Sequence, residues 1–272
     1  MTVLWILAAC LLLAGILYVL SLRGRRNHPG FSGLDGWHYA HRGLHDETLP
    51  ENSIGAFRAA LENGYGIELD VHLTSDGQLA VIHDSSLKRT AGADVEVENL
   101  TLAEAMTYTL TGSQETIPSF RQVLDLFDGK APMIIELKSH KGNYGALTDR
   151  LCRELDGYQG AYCIESFDPR CIIHLRKHDP QQIRGILSYN YVKAKASYLP
   201  WILRFLLGNL MSNFLMKPDF IAYRHDHRKN LSCKLCRKLW GIRGVTWTTR
   251  TREDHEQAVR EGWLSIFENF RA

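Results

Sequence analysis

The sequence predicts an α/β protein: a (β/α)8 TIM barrel preceded by one N-terminal transmembrane helix. Three observations predict it. Strand-like and helix-like segments alternate along most of the chain, the pattern of a parallel sheet wrapped by helices. Polar residues gather at the C-terminal ends of strand-like segments (His41, Asp70, His83, Lys138, Ser166), and in a barrel those ends form the active-site face. A doubly wound sheet would gather them at one crevice, whereas here they spread over at least four strands. Third, residues 3–22 form a run of twenty without a charge.

That run, VLWILAACLLLAGILYVLSL, would span about 30 Å as a helix, roughly one hydrocarbon core. Residues 1–9 carry no basic side chain, which argues against a cleaved signal peptide. Arg23, Arg25 and Arg26 follow at once, and the positive-inside rule then puts the remainder on the cytoplasmic face of the cell membrane. The expected organisation is an anchor with a basic flank at 1–26, a linker at 27–36 rich in glycine, and one domain at 37–272. Of six cysteines one lies in the apolar run; the other five follow no disulfide framework. A net charge of +2 and no long basic run exclude a nucleic-acid partner, and no obligate protein partner is evident.

The first strand, WHYAH, ends at His41-Arg42-Gly43. NSIGAFRAALENG places Ile54, Phe57 and Leu61 at helical spacing, with Asn52 or Ser53 as cap and Gly64 as stop. IELDVHL alternates with period two, so Ile67, Leu69, Val71 and Leu73 share one face and Glu68, Asp70 and His72 the other. Asp76-Gly77 turns the chain into QLAVIHD. Thr101 with Glu104 forms a possible capping box. After Pro118, Phe120, Val123, Leu124 and Phe127 line one side of a helix. Strands follow at 133–138, 161–167, 183–188, 219–223, 244–249 and 263–267, with helices between most of them. Nine strand-like pieces compete for eight places, so one is a hairpin arm or no strand at all.

A core strand favours Val, Ile and Leu, so Glu68 and Asp70 need a partner or a metal. Glu136 and Lys138 repeat the same two-residue spacing on another strand. Oxygen donors of this kind suit one divalent cation, Mg²⁺ or Ca²⁺. His41 and His83 are the acid/base candidates, because imidazole titrates near neutrality. Arg42 offers a planar fork for phosphate. Two histidines facing a carboxylate-bound metal and an arginine point to phosphoryl transfer.

In order and spacing, HRG (41–43), PENS (50–53), ELD (68–70), DG (76–77), HD (83–84), ELK (136–138), SF (166–167) and Trp247-Thr248 resemble the motifs of the glycerophosphodiester phosphodiesterases. Ser53 replaces the more usual threonine, and Arg250 stands where an asparagine often follows. The resemblance covers about residues 38–270. It implies metal-dependent hydrolysis of a small-molecule or lipid-derived phosphodiester to an alcohol and glycerol phosphate. It assigns the metal to Glu68, Asp70 and Glu136, proton transfer to His41 and His83, and phosphate binding to Arg42 and Lys138. Glu51 supports this set, and Trp247 lies near the glycerol. A lysophospholipase D-like or sphingolipid phospholipase D-like enzyme, and an inactive membrane-bound barrel that binds a phosphodiester, are the rival readings.

Two stretches stand apart. Residues 197–218 are almost uncharged, with Arg204 and Lys217 the only charges, and are expected either to pack as a barrel helix or to meet the lipid bilayer near the active-site mouth. Cys233 and Cys236, near His225 and His227, have zinc-like spacing, yet Leu231, Leu235 and Leu239 make that region an amphipathic helix.

Overall fold

The computed structural model describes residues 1–272. Helix α1 (Thr2–Ser21) precedes β1 (Tyr39–His41), α2 (Ile54–Glu62), β2 (Gly66–Leu73), β3 (Leu79–Val81), α3 (Lys88–Ala91), α4 (Leu102–Ala105) and α5 (Phe120–Phe127). There follow β4 (Met133–Leu137), α6 (Tyr144–Leu155), β5 (Tyr162–Ser166), α7 (Pro169–His178), β6 (Arg184–Ser188), α8 (Trp201–Gly208) and α9 (Asn213–Met216). The chain ends with β7 (Phe220–Arg224), α10 (Leu231–Lys238), β8 (Arg243–Thr249), α11 (Arg252–Arg260) and β9 (Leu264–Phe267).

Strands β1, β2 and β4 to β9 are parallel neighbours, and β1 closes the ring by pairing with both β2 and β9. The ninth strand-like piece is the hairpin arm: β3 runs antiparallel to the outer end of β2. His83 therefore lies beyond a hairpin arm, not at the end of a barrel strand as the sequence pattern implied. The cause is Asp76-Gly77, whose turn sends the chain back along β2 before any helix can form.

Local chemistry explains the helices. The Ser53 hydroxyl accepts from the Ala56 amide and starts α2. Ser119 and Gln122 form a reciprocal capping box on α5, and Phe120, Val123, Leu124 and Phe127 are its buried stripe. The Thr101–Glu104 box is present too, but it opens the single turn of α4. Ile67, Leu69 and Val71 point out of the barrel into the layer filled by Val123, Phe127, Leu147 and Leu151. Glu68 and Asp70 are thereby turned inward.

The stretch expected as a linker, 27–36, is folded. A 3-10 turn at Pro29–Gly33 buries Phe31 and Leu34 beneath the barrel with Tyr39, Phe220 and Val245, and the Tyr39 hydroxyl donates to the Leu34 carbonyl at 2.7 Å. Helix α1 has no buried residue and is long and apolar enough to cross a membrane. Its base is tied down. Leu22 is buried, Tyr18 shares a hydrogen bond with Ser232, Trp240 Nε1 donates to the Val19 carbonyl, and Arg25 grips Asp219 at 2.5 and 2.6 Å. Cys233 and Cys236 sit in the apolar cluster that receives Leu22, and burial pushes the Cys236 thiol up to about 12.

Candidate active site

The site is assembled by register. His41 on β1 stands beside Glu68 on β2, Asp70 stands beside Glu136 on β4, and Glu136 stands beside Glu165 on β5. Inward side chains of four adjacent strands thus meet at one end of the barrel. Directly after β1, Arg42 adopts a left-handed φ of 55°, unusual for a bulky side chain. Gly43 follows at φ 84°, where a Cβ would lie 2.9 Å from both Ala56 and Phe57, so the close packing of α2 demands glycine. This turn aims the Arg42 amide at Glu68 Oε2 (3.2 Å) and its guanidinium at Glu51 (2.9 Å) and Asp70 (3.4 Å).

Single donor atoms of Glu68, Asp70 and Glu136 all lie within 4.8 Å of one another, and all three residues are buried. Lys138 Nζ stands 3.0 Å from Asp70 Oδ1 and 2.8 Å from Glu136 Oε1. Burial disfavours the Asp70 charge, yet Lys138, His83 and Arg42 outweigh it and hold that carboxyl well below its usual range. Glu68 goes the other way, raised by burial and by Asp70. Glu136 is raised to about 7 by burial, against the pull of Lys138. Burial also opposes the Lys138 charge, but Asp70 and Glu136 prevail and keep it an ammonium.

The donor set fits a hard divalent ion. It consists of oxygens only, and Asp70 Oδ1 is buried without an aligned hydrogen bond. With Glu165, four buried carboxylates face two cations, Arg42 and Lys138. Full ionisation would leave two negative charges, the amount one divalent ion balances.

Both histidines are held by a carboxylate. His41 Nδ1 donates to Glu268 at 2.6 Å, and its Nε2 is 3.8 Å from Glu68. His83 Nδ1 donates to Asp84 at 2.6 Å. Both rings thus keep a proton on Nδ1 and leave Nε2 free. Burial lowers His41, partly offset by Glu268, and it drives His83 down to about 4. The Glu268 carboxyl is held down at about 2 by the His41 hydrogen bond.

His41, Arg42, Glu68, Asp70, His83, Glu136 and Lys138 converge, Glu51 and Trp247 stand at the edge, and Cys233 and Cys236 lie apart in the cluster around Leu22. Glu51 pairs with Arg42 and, through two bonds, with Arg89, which also bonds Asp84. Trp247 forms a side wall, edge-on to Phe167 at 5.4 Å. Four contributors escaped sequence reasoning. Asn52 donates to Asp70 Oδ2 at 2.8 Å from a left-handed backbone, although it looked like a helix cap. Glu165 is buried with Oε2 unpartnered, and burial raises it well above its usual range. Its inward place was legible in the alternation of YCIES. Arg89 and Glu268 had no local signal. A cavity of about 140 Å³ lies among these groups, lined also by Leu187, Thr248 and Arg250.

Residues 41–270 match the model of the glycerophosphoryl diester phosphodiesterase family. The chain belongs to that family. It is 31% identical to the glycerophosphodiester phosphodiesterase of Caldanaerobacter subterraneus, across 82% of this chain and 89% of that protein. A human glycerophosphodiester phosphodiesterase is 27% identical over 79% of this chain and 72% of its own length. Among solved structures, an Oleispira antarctica phosphodiesterase in complex with the product sn-glycerol-3-phosphate matches with a TM-score of 0.73 at 19% identity, covering 89% of this chain and 96% of that one. The enzyme is therefore a glycerophosphodiester phosphodiesterase on a (β/α)8 barrel.

Proposed function

We propose that the enzyme hydrolyses glycerophosphodiesters through one divalent cation, Mg²⁺ or Ca²⁺, and a pair of histidines. The observation that carries this is the group of three buried carboxylates within 4.8 Å, flanked by two histidines that each donate Nδ1–H to a carboxylate. Glu68, Asp70 and Glu136 would hold the ion, which when bound would offset the phosphate's negative charge. Arg42, oriented by Glu51, and Lys138 bind the phosphate oxygens. One histidine takes the proton of the nucleophile, a water or the substrate's neighbouring hydroxyl, through Nε2 as the new P–O bond forms. The other, carrying a second proton on Nε2 as an imidazolium, gives it to the leaving oxygen as the old bond breaks. Trp247 packs against the glycerol.

Alanine at His41 or His83 should each lower turnover of a glycerophosphodiester by roughly 10² to 10⁴-fold. A nitrophenyl ester, whose leaving group needs little protonation, should rescue the variant lacking the acid and not the one lacking the base. Near-normal turnover by both variants would remove the histidines from the chemistry.

We infer also that α1 anchors this domain on the cytoplasmic face. Support comes from its charge-free length and from Arg23, Arg25 and Arg26. Protease added outside intact cells should leave the domain whole, and digestion there would reverse the orientation.

A further inference from the structure

We propose that residues 189–216 lie on the bilayer beside α1 and pass to the active site a phosphodiester lipid with a single hydrocarbon tail. This rests on the phosphodiesterase reading above and names its substrate class. A cavity of about 560 Å³ adjoins the catalytic one and shares Glu136, Lys138 and Phe167 with it. Its size falls within the usual range for a small-molecule site. The lining combines charged and polar groups, Glu136, Lys138, His140, Asp168 and Arg170 among them, with a wall of Tyr191, Tyr198, Leu199, Leu203 and Leu207, all from the inserted segment. A water-soluble glycerophosphodiester has nothing to place against such a wall. A hydrocarbon tail attached to the same head group does.

The outer face of the segment is unpartnered. Trp201 and Phe205 stack at 5.7 Å and stay 61% and 40% exposed, and Ile202, Phe214 and Leu215 are exposed as well. Two features make the occupant a lipid surface. The segment continues directly from the base of α1: Leu22 packs with Leu210 and Met216, and Asn213 donates to the Leu22 carbonyl. A bilayer crossed by α1 therefore begins beside this face. Its charge is also one-sided. Between Asp179 and Asp219 there is no acidic residue, while Lys193, Lys195, Arg204 and Lys217 lie in or just past the segment. Aromatic side chains with a basic fringe suit an anionic membrane interface. On such a lipid, water adds to phosphorus, the bond to the head-group alcohol breaks, and the phosphate stays on the acylated glycerol.

The test uses full-length enzyme in nanodiscs of phosphatidylcholine and phosphatidylglycerol. Lysophosphatidylcholine, lysophosphatidylethanolamine and lysophosphatidylglycerol are each assayed beside the deacylated diester of the same head group. Wild type should cleave both members of at least one pair. Trp201→Ser with Phe205→Ser should lower kcat/KM for the acylated member by about tenfold or more and leave the soluble member within about twofold. Leu203→Glu should lower the acylated-to-soluble ratio of kcat/KM by about tenfold as well. Cleavage of soluble diesters alone, or an equal loss on both members in the double variant, would overturn the proposal and leave the phosphodiesterase reading standing. Failure on every soluble diester would instead remove that reading, and the proposal with it.

Discussion

The two halves of the barrel differ in what they bring to the site. Strands β1 to β5 and their loops supply His41, Arg42, Glu51, Glu68, Asp70, His83, Glu136, Lys138 and Glu165. Strands β6 to β9 supply mostly wall: Leu187, Trp247, Thr248 and Ile266. Glu268, which reaches back to His41, and Arg250 are the exceptions. The charged half is built on register, because neighbouring parallel strands fix inward side chains to one another through the backbone ladder. The apolar half carries the long excursion between β6 and β7. On the proposed function, chemistry would reside where geometry is rigid, and fit to the substrate where the chain is elaborated.

The contrast breaks most severely at Asp70, which touches Asn52 and lies against Arg42 and Lys138. On the proposed function, Asp70→Asn should lower kcat by roughly 10³-fold or more, since it would remove a proposed metal ligand and the charge that lies against Arg42 and Lys138. A loss in KM alone, measured by steady-state kinetics, would contradict this role. Next comes Glu268→Gln, the one carboxylate sent from the apolar half. It should lower kcat by roughly 10 to 100-fold. Because Glu268 raises His41, its neutralisation should also shift the His41 limb of the kcat/KM profile to lower pH. A uniform loss without that shift would make Glu268 merely structural. Trp247→Ala should mainly raise KM, by about three- to tenfold for a soluble diester, with kcat nearly kept.

The smallest effect is on stability. Glu136 titrates at about 7 in the fold against an ordinary 4.5, so between those values the folded state binds more protons than the unfolded one. Its contribution to stability is then full below about pH 4.5 and is lost as pH rises to about 7. His83, at about 4 against 6.5, pulls the opposite way over part of that range. The difference between Glu136→Gln and wild type isolates the carboxylate. In chelator-treated protein, the melting temperature of Glu136→Gln should gain on wild type from pH 4.5 to 7. A gap independent of pH would refute it.

Much of the charged half was legible because period-two alternation puts Glu68 and Asp70 opposite Ile67, Leu69 and Val71, and apolar packing outside leaves them no place but inside. The same rule applied to β5 would have found Glu165. Glu268 was hidden for another reason: it is 227 residues from His41, and only closure of β1 on β9 joins them. His83 was recognised as a residue but misplaced, since a hairpin arm and a barrel strand share one sequence pattern. The stretch at 27–36 looked like a linker because its glycines and proline outweigh Phe31 and Leu34, whose burial depends on a floor built by distant strands.

The central claim is that the buried carboxylates of the charged half exist to hold one divalent ion. It is tested most directly by stripping purified enzyme with chelator, removing the chelator, and titrating Mg²⁺ or Ca²⁺ while following hydrolysis of a glycerophosphodiester. Turnover should vanish on stripping and return with a single saturating phase in wild type, and should not return in Asp70→Asn. Full turnover in the metal-stripped enzyme would contradict the account.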